Sequence, residues 1–152
     1  MYDLVKNAIP HEFCDYIRTT YKQHGKLNKR AKWAKGVAYV QFDDEYLNKI
    51  TTQFSDYIPE DYVTVWFNVS KYEVGDELGL HGDNFSLRTI MCDISDDYEG
   101  GNFIINKSTY IPTKKGDIIY FDGLHTLHGV DTITKGTRHS LNIWSRPKVS
   151  KI

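Results

Sequence analysis

Cysteine is scarce in this chain. Two among 152 residues cannot make a disulfide framework, and Cys14 and Cys92 stand in no metal-binding or redox spacing. They are expected as small buried apolar groups in a reducing, intracellular setting. No apolar run approaches the length of a membrane span. The opening MYDLVKNAIPHEF carries neither the apolar core nor the small-residue cleavage pattern of a signal peptide, so the expected location is cytoplasmic. Charge of one sign is missing too. With 19 basic and 20 acidic residues the formal net charge is -1, which argues against nucleic-acid and membrane partners. Repeats, low-complexity tracts and linker-like stretches are absent, so one domain is expected over 1-152.

Aromatic residues are plentiful. They make up 14% of the chain, including 11 Tyr and 3 Trp, which suits a β-rich core or an aromatic-lined pocket. Helix signals come first. Phe13, Ile17 and Tyr21 recur every four positions between Pro10 and His24. Tyr46, Leu47, Ile50, Phe54, Tyr57 and Ile58 form one stripe between Asp43 and Ile58, with Asp43 or Asp44 as cap and Pro59 as stop. Residues 36–42 between them read as a strand. After Pro59 the period changes to two: Val63, Val65, Phe67 and Val69 alternate with Thr64, Trp66, Asn68 and Ser70. Shorter strands are expected at Arg88–Asp93, Asn102–Asn106, Asp117–Phe121, Gly129–Ile133 and His139–Trp144, separated by EVGDELG, DDYEGG, KKGD and TKG. The pattern predicts a mainly β (α+β) chain: helical support over 1-60, then a β core over 61-147 built as a double-sheet jelly roll, with the helices on one sheet.

Within LHGDN, His81 and Asp83 lie two apart, and an extended chain points residues i and i+2 to the same side. One short segment can thus offer an imidazole and a carboxylate to one ion. A third ligand must come from elsewhere, and FDGLHTLHGV supplies His125 or His128. His128 is preferred because it opens an apolar β-like run, whereas His125 sits in the irregular DGLHT stretch. Two histidines and one carboxylate form the triad that leaves positions open on non-haem Fe(II). His11, His24 and His139 are read as surface or helix residues without a metal role.

Arg138 follows His128 by ten residues, just past TKG. A hairpin centred near Lys135 would pair His128 with Asn142 and place Arg138 roughly 13 Å along the strand. A five-carbon diacid could then chelate the metal at one end and meet the guanidinium bidentately at the other. Arg138 shares a face with Asn142, and Ser140 with Trp144, while Leu141 and Ile143 look like core.

The stretch from about Asn68 to Pro147 resembles the Fe(II)/2-oxoglutarate-dependent oxygenases of the prolyl 4-hydroxylase superfamily. NVSKYEVGDELGLHGDN, ISDDYEGGNFII, PTKKGDIIYFDGLHTLHGV and TKGTRHSLNIW carry the likeness in order. The resemblance implies a double-stranded β-helix (jelly roll) core with two or three N-terminal helices packed on one sheet. It implies His81, Asp83 and His128 as iron ligands and as the catalytic centre, Arg138 as the 2-oxoglutarate clamp, and Tyr72 as a second cosubstrate contact. Trp144 matches a frequent aromatic near the site and is read as structural. The family often carries a tyrosine before the Leu-Asn of its central strand; here Asp93 stands there, before Ile94 and Ser95. Arg138 replaces the lysine of collagen-type prolyl hydroxylases, as arginine does elsewhere in the superfamily.

The implied reaction is hydroxylation of a substrate C–H bond by O2 with conversion of 2-oxoglutarate to succinate and CO2, with ascorbate as an optional accessory. The first substrate expectation is a prolyl residue in a peptide or protein; the alternatives are a free amino acid, another small molecule, or a non-catalytic cupin-like metal-binding module. A zinc hydrolase and a ligand-binding β-sandwich are the other rivals, and 2-oxoglutarate dependence separates them. The stretches Gly25–Lys35, which is locally basic, and Val74–Leu80 are expected to flank the site mouth.

Overall fold

In the computed structural model the chain is described at residues 1–24, 26–28, 34–35, 38–41 and 44–149, with side-chain surroundings described at 1–21 and 46–149. The elements run β1 (Tyr2–Val5), α1 (His11–His24), β2 (Lys26–Asn28), β3 (Ala34–Lys35), β4 (Ala38–Gln41) and α2 (Asp44–Gln53). A 3-10 turn at Ser55–Tyr57 leads into β5 (Tyr62–Tyr72), then β6 (Glu77–His81), β7 (Arg88–Asp93), β8 (Tyr98–Gly100) and β9 (Phe103–Ile105). The last strands are β10 (Thr109–Ile111), β11 (Ile118–Phe121), β12 (His128–Val130), β13 (Ile133–Gly136) and β14 (Arg138–Pro147). The mainly β fold with two helices and antiparallel sheets matches the expected double-stranded β-helix. No described helix is long and apolar enough to cross a membrane.

A seven-stranded sheet runs β1-β11-β7-β14-β5-β4-β2, a five-stranded sheet runs β10-β9-β12-β6-β3, and β13 and β8 form a two-stranded ribbon. Strand alternation sorts the apolar residues into two layers. Ile118, Ile90, Cys92, Leu141, Ile143, Phe67 and Val69 point to the helices, where Cys14, Ile17 and Tyr21 of α1 and Tyr46, Ile50 and Phe54 meet them. Ile119, Phe121, Met91 and Tyr72 point the other way, onto Phe103, Ile105 and Val130 of the second sheet. The functional cavity lies in this inner layer.

Several boundaries differ from the sequence reading. The second helix stops at Gln53 and tightens into the 3-10 turn, because Pro59 forces Ile58 into an extended conformation (φ -110, ψ 121). The strand expected at 36–42 is described only as Ala38–Gln41, and the rest of that range lies outside the described residues. Of the basic Gly25–Lys35 stretch, only β2 and β3 are described. The run Gly129–Ile133 breaks in two: β12 joins the five-stranded sheet and β13 joins the ribbon. The hairpin between His128 and Arg138 is therefore not formed. His128 pairs with His81 and Ile105, while Arg138 pairs with Tyr72, so the two residues face one cavity from opposite sheets.

Candidate metal and cosubstrate site

His81 closes β6 and is the direct cross-strand partner of His128 on β12. One residue of β12, Gly129, opposes two of β6, Gly79 and Leu80, between these partners and the Val130–Leu78 pair, an irregularity of the bulge type that re-aims side chains beside functional sites. The imidazole centroids are 4.4 Å apart. Asp83 lies past the strand end rather than within it. Its N–H donates to the Gly123 carbonyl at 2.7 Å. The Thr89 hydroxyl donates to its Oδ2 at 2.8 Å.

The histidine orientations follow from their backbone partners. Nδ1 of His81 meets the Gly79 carbonyl at 2.8 Å, and Nδ1 of His128 meets the Thr126 carbonyl at 2.9 Å. Those contacts assign the Nδ1 protons and leave each Nε2 lone pair turned inward, the arrangement that metal-binding histidines use. Nε2 of His128 is 3.2 Å from Asp83 Oδ2, and Nε2 of His81 is 3.6 Å from Oδ1. The potential ligand atoms of all three residues lie within 4.8 Å of one another. Phe121 and Phe103 pack against the His128 ring, with centroids at 4.6 and 6.1 Å.

The electrostatics suit a cation. Burial, and then the neighbouring His128, push the His81 pKa below its usual value, which favours the neutral ring. Burial alone would raise the Asp83 carboxyl. The facing His128 imidazole, the Thr89 hydroxyl and then His81 favour the ionised carboxyl enough to outweigh burial and hold it below the usual carboxylate range. Two nitrogens and a carboxylate oxygen, dry on one side, are a donor set that fits a divalent transition ion with open positions.

Arg138 is 0% exposed. Its guanidinium carbon lies 5.0 Å from the Tyr72 ring centroid and 6.0 Å from that of Tyr98, and Nη2 approaches Met91 Sδ at 3.5 Å. Among the described residues, Nε and Nη1 have no hydrogen-bond partner. A buried permanent cation with two such donors could receive a planar anion. Gly101 makes room for it. A Cβ there would sit 3.0 Å from Arg138 Cδ and 2.4 Å from Ile133 Cδ1, and the residue has a φ of +64, which favours glycine. His81, His128, Tyr72 and Arg138 line one cavity with Ser140, Asn142 and Trp144.

Among the other sequence candidates, His125 is exposed and bonds Asp122 at 2.8 Å, away from the cluster. His139, expected at the surface, is buried and meets the Tyr21 hydroxyl at 3.0 Å. His11 is exposed at the start of α1, and the His24 side chain lies outside the described residues. Thr89, Met91, Tyr98 and the two phenylalanines escaped the sequence reading. Strand alternation across RTIMCD, NFII and IIYF carries the only signal for Thr89, Met91, Phe103 and Phe121, and Tyr98 sits in DDYEGG, which reads as a turn.

A sandwich that brings two imidazoles and a carboxylate to one point, with a buried arginine lining the same cavity as the imidazoles, forms a candidate metal-and-anion site in a double-stranded β-helix. The chain belongs to the 2OG-Fe(II) oxygenase superfamily, whose family model matches residues 67–146. Fe(II) and 2-oxoglutarate are the metal and cosubstrate of that class of dioxygenases. A PKHD-type hydroxylase of Hyphomonas neptunium is 29% identical over 110 residues, covering 60% of this chain and 47% of that protein. The chain spans about half the length of the curated relatives it matches. Among solved structures, the viral collagen prolyl hydroxylase of Paramecium bursaria Chlorella virus-1, in complex with 2OG, superposes with a TM-score of 0.72 at 19% identity, covering 96% of each chain. A prolyl hydroxylase of Trichoplax adhaerens, with a hypoxia-inducible-factor peptide fragment, gives a TM-score of 0.74 at 12% identity over 97% of this chain and 84% of that one. These structural likenesses establish the shared fold.

Proposed function

We propose that the chain is a single oxygenase domain that hydroxylates a C–H bond of its substrate, a prolyl residue in a peptide or protein, with release of succinate and CO2. In this reading His81, Asp83 and His128 hold Fe(II), Arg138 takes the distal carboxylate of 2-oxoglutarate, and Tyr72 flanks it. One observation carries the reading: His81 and His128, whose ligand atoms lie within 4.8 Å of the Asp83 carboxylate and of each other, line the same cavity as a buried guanidinium with two donors that lack a partner among the described residues. Bound there, Fe(II) would supply O2 activation coupled to oxidative decarboxylation of 2-oxoglutarate.

The protein's own share is positioning and exclusion of water. The backbone carbonyls of Gly79 and Thr126 fix the two imidazole tautomers, and Thr89 fixes the carboxylate. The Arg138 fork would set the direction of the cosubstrate in the cavity that it lines with the two imidazoles. The prolyl preference draws on the relatives named above. Two free, buried cysteines support a reducing, cytoplasmic setting.

The test is succinate formation from 2-oxoglutarate by anaerobically Fe(II)-loaded protein after O2 is admitted, with and without prolyl peptides. Peptide-stimulated turnover that vanishes in His81→Ala is the expected result. Stimulation by free amino acids instead would reassign the substrate class. Absence of both turnover and 2-oxoglutarate binding would sink the reading and favour a metal-binding module.

A further inference from the structure

A second buried ionisable group lies on the same face of the sheet as Arg138. Asp93 is 0% exposed and closes β7, directly opposite Ser140 on β14. Arg138 is two residues from Ser140 on that strand and so points to the same side of the sheet. No carboxylate lies within ion-pairing distance of Arg138 among the described residues, so Asp93 is its nearest anionic counterpart in the strand register. The lone pairs of Asp93 are already engaged. Ser95 N–H donates to Oδ1 at 3.2 Å, Thr113 Oγ1 donates to Oδ2 at 2.8 Å, and the Tyr98 hydroxyl makes a short bond to the same oxygen. Asp93 therefore balances the guanidinium through space without consuming Nε and Nη1.

We propose that Asp93 is a proton-accepting counter-ion of Arg138: ionised while the guanidinium stands alone, and protonated from solvent when the distal carboxylate of the cosubstrate arrives. This inference rests on the reading of Arg138 as the cosubstrate clamp. A buried cation needs compensation, which Asp93 gives in the free protein. A second carboxylate on the same guanidinium leaves two anions sharing one cation in a dry pocket, and like charges there cannot both persist. The proton leaves a buffer acid and ends on the Asp93 carboxyl; no other bond changes. Hydroxyls donate or accept as required, so Tyr98 and Thr113 satisfy Asp93 in either state. The same two residues line a second hollow on the outer surface, with His11, Lys114 and Lys115 at its wall, which gives protons a way in apart from the substrate mouth.

Burial already pushes the Asp93 carboxyl above the usual range, against the pull of Arg138 and of its three hydrogen bonds. Burial opposes the Arg138 charge in turn, and Asp93, Tyr98 and Tyr72 more than offset it. The other titratable groups packed near Asp93 are the thiols of Cys92 and of Cys14 on α1, and Asp117 at the head of β11. The Asp117 carboxylate is held by the Asn7 and Lys114 N–H groups.

The experiment is calorimetric titration of 2-oxoglutarate into Mn(II)-loaded protein, in buffers of different ionisation enthalpy and across a range of pH. Wild type is expected to take up a number of protons that peaks near one per cosubstrate, at a pH between the free and bound titrations of Asp93. Asp93→Asn should bind cosubstrate with that uptake gone. Tyr98→Phe removes a donor that favours the ionised carboxyl, so its uptake peak should move to higher pH. Equal proton exchange in wild type and Asp93→Asn would overturn the inference. If Asp93→Asn does not fold, an unmoved peak in Tyr98→Phe overturns it. Failure of the wild type to bind 2-oxoglutarate is a different result, which removes the proposed function and this inference with it.

Discussion

The two faces of the β5–β14 pair are built from the same two strands and do opposite work. Toward the helices they present Phe67, Val69, Leu141 and Ile143, all buried and apolar. Toward the cavity they present paired rungs of like character: Ser70 opposite Ser140, Asn68 opposite Asn142, Trp66 opposite Trp144, with Tyr72 opposite Arg138 at the end. Asn142 bridges Asn68 Oδ1 and Ser70 Oγ at 3.0 Å each, and the two indoles stack at 4.8 Å. The buried polar atoms without partners on these strands include Arg138 Nε and Nη1, Asn68 Nδ2, Ser140 Oγ and Trp144 Nε1, all on the cavity face. Buried donors left unmade are costly. Their concentration on one face marks where a ligand, rather than the fold, completes the bonding. The outer face supplies the stability that the inner face forgoes.

Substitutions can break this division. Ile143→Ala on the helix face should cost about 2–5 kcal/mol of unfolding free energy by leaving a cavity in a 0% exposed site. Its metal and cosubstrate affinities should stay near wild type, as read by denaturant titration beside ligand binding. Arg138→Met should do the reverse. The lost charge-assisted bonds are worth about 2–5 kcal/mol, or at least ~30-fold in the Kd for 2-oxoglutarate, with metal binding retained. If Arg138→Met mainly lowered Tm and left that Kd alone, the guanidinium would be a structural group and the contrast would fail.

Smaller effects sharpen the metal end. In Gly123→Ala the new Cβ would meet Thr89 Oγ1 at 2.1 Å and Asp83 Oδ2 at 2.7 Å. The carboxylate must shift, and a ~10–100-fold loss of metal affinity is expected, as for other disturbances of ligand-orienting groups. A competition titration with a chelator would measure it, and unchanged affinity would show that Asp83 is free to reposition. The pH response is subtler. The folded-state pKa of His81 lies below that of a free imidazole. Its contribution to stability is thus fully present above about 6.5 and is lost as pH falls toward the folded value. The Tm of metal-free protein should fall between neutral and mildly acidic pH, and fall less in His81→Gln; identical slopes would remove His81 from the account.

The sequence made the ends of the site readable and left its middle obscure. His81, Asp83 and His128 stood out because their spacing and residue types answer to metal chemistry. The local rule invoked for the first two was only half apt: the chain leaves β6 at His81, and Asp83 is placed by Gly123 and Thr89. The distance from His128 to Arg138 along the chain was sound information, but the hairpin drawn from it was not. A turn signal such as TKG says that the chain reverses, not which strand it meets next. Here the partner of β13 is β8, hidden in DDYEGG because those residues read as a turn. Thr89, Met91 and Tyr98 lay beyond reach for the same reason. Their roles depend on pairings between distant strands, and residue pattern alone is silent on partner choice.

The direct pairing of His81 with His128 across β6 and β12 has a consequence for how the site can vary. The separation of the two backbone positions that carry the rings is set by the repeat of the polypeptide ladder. Neighbouring residues can therefore drift in identity and volume while that separation persists. A single residue inserted into either strand would send one imidazole to the opposite face and erase the centre at a stroke.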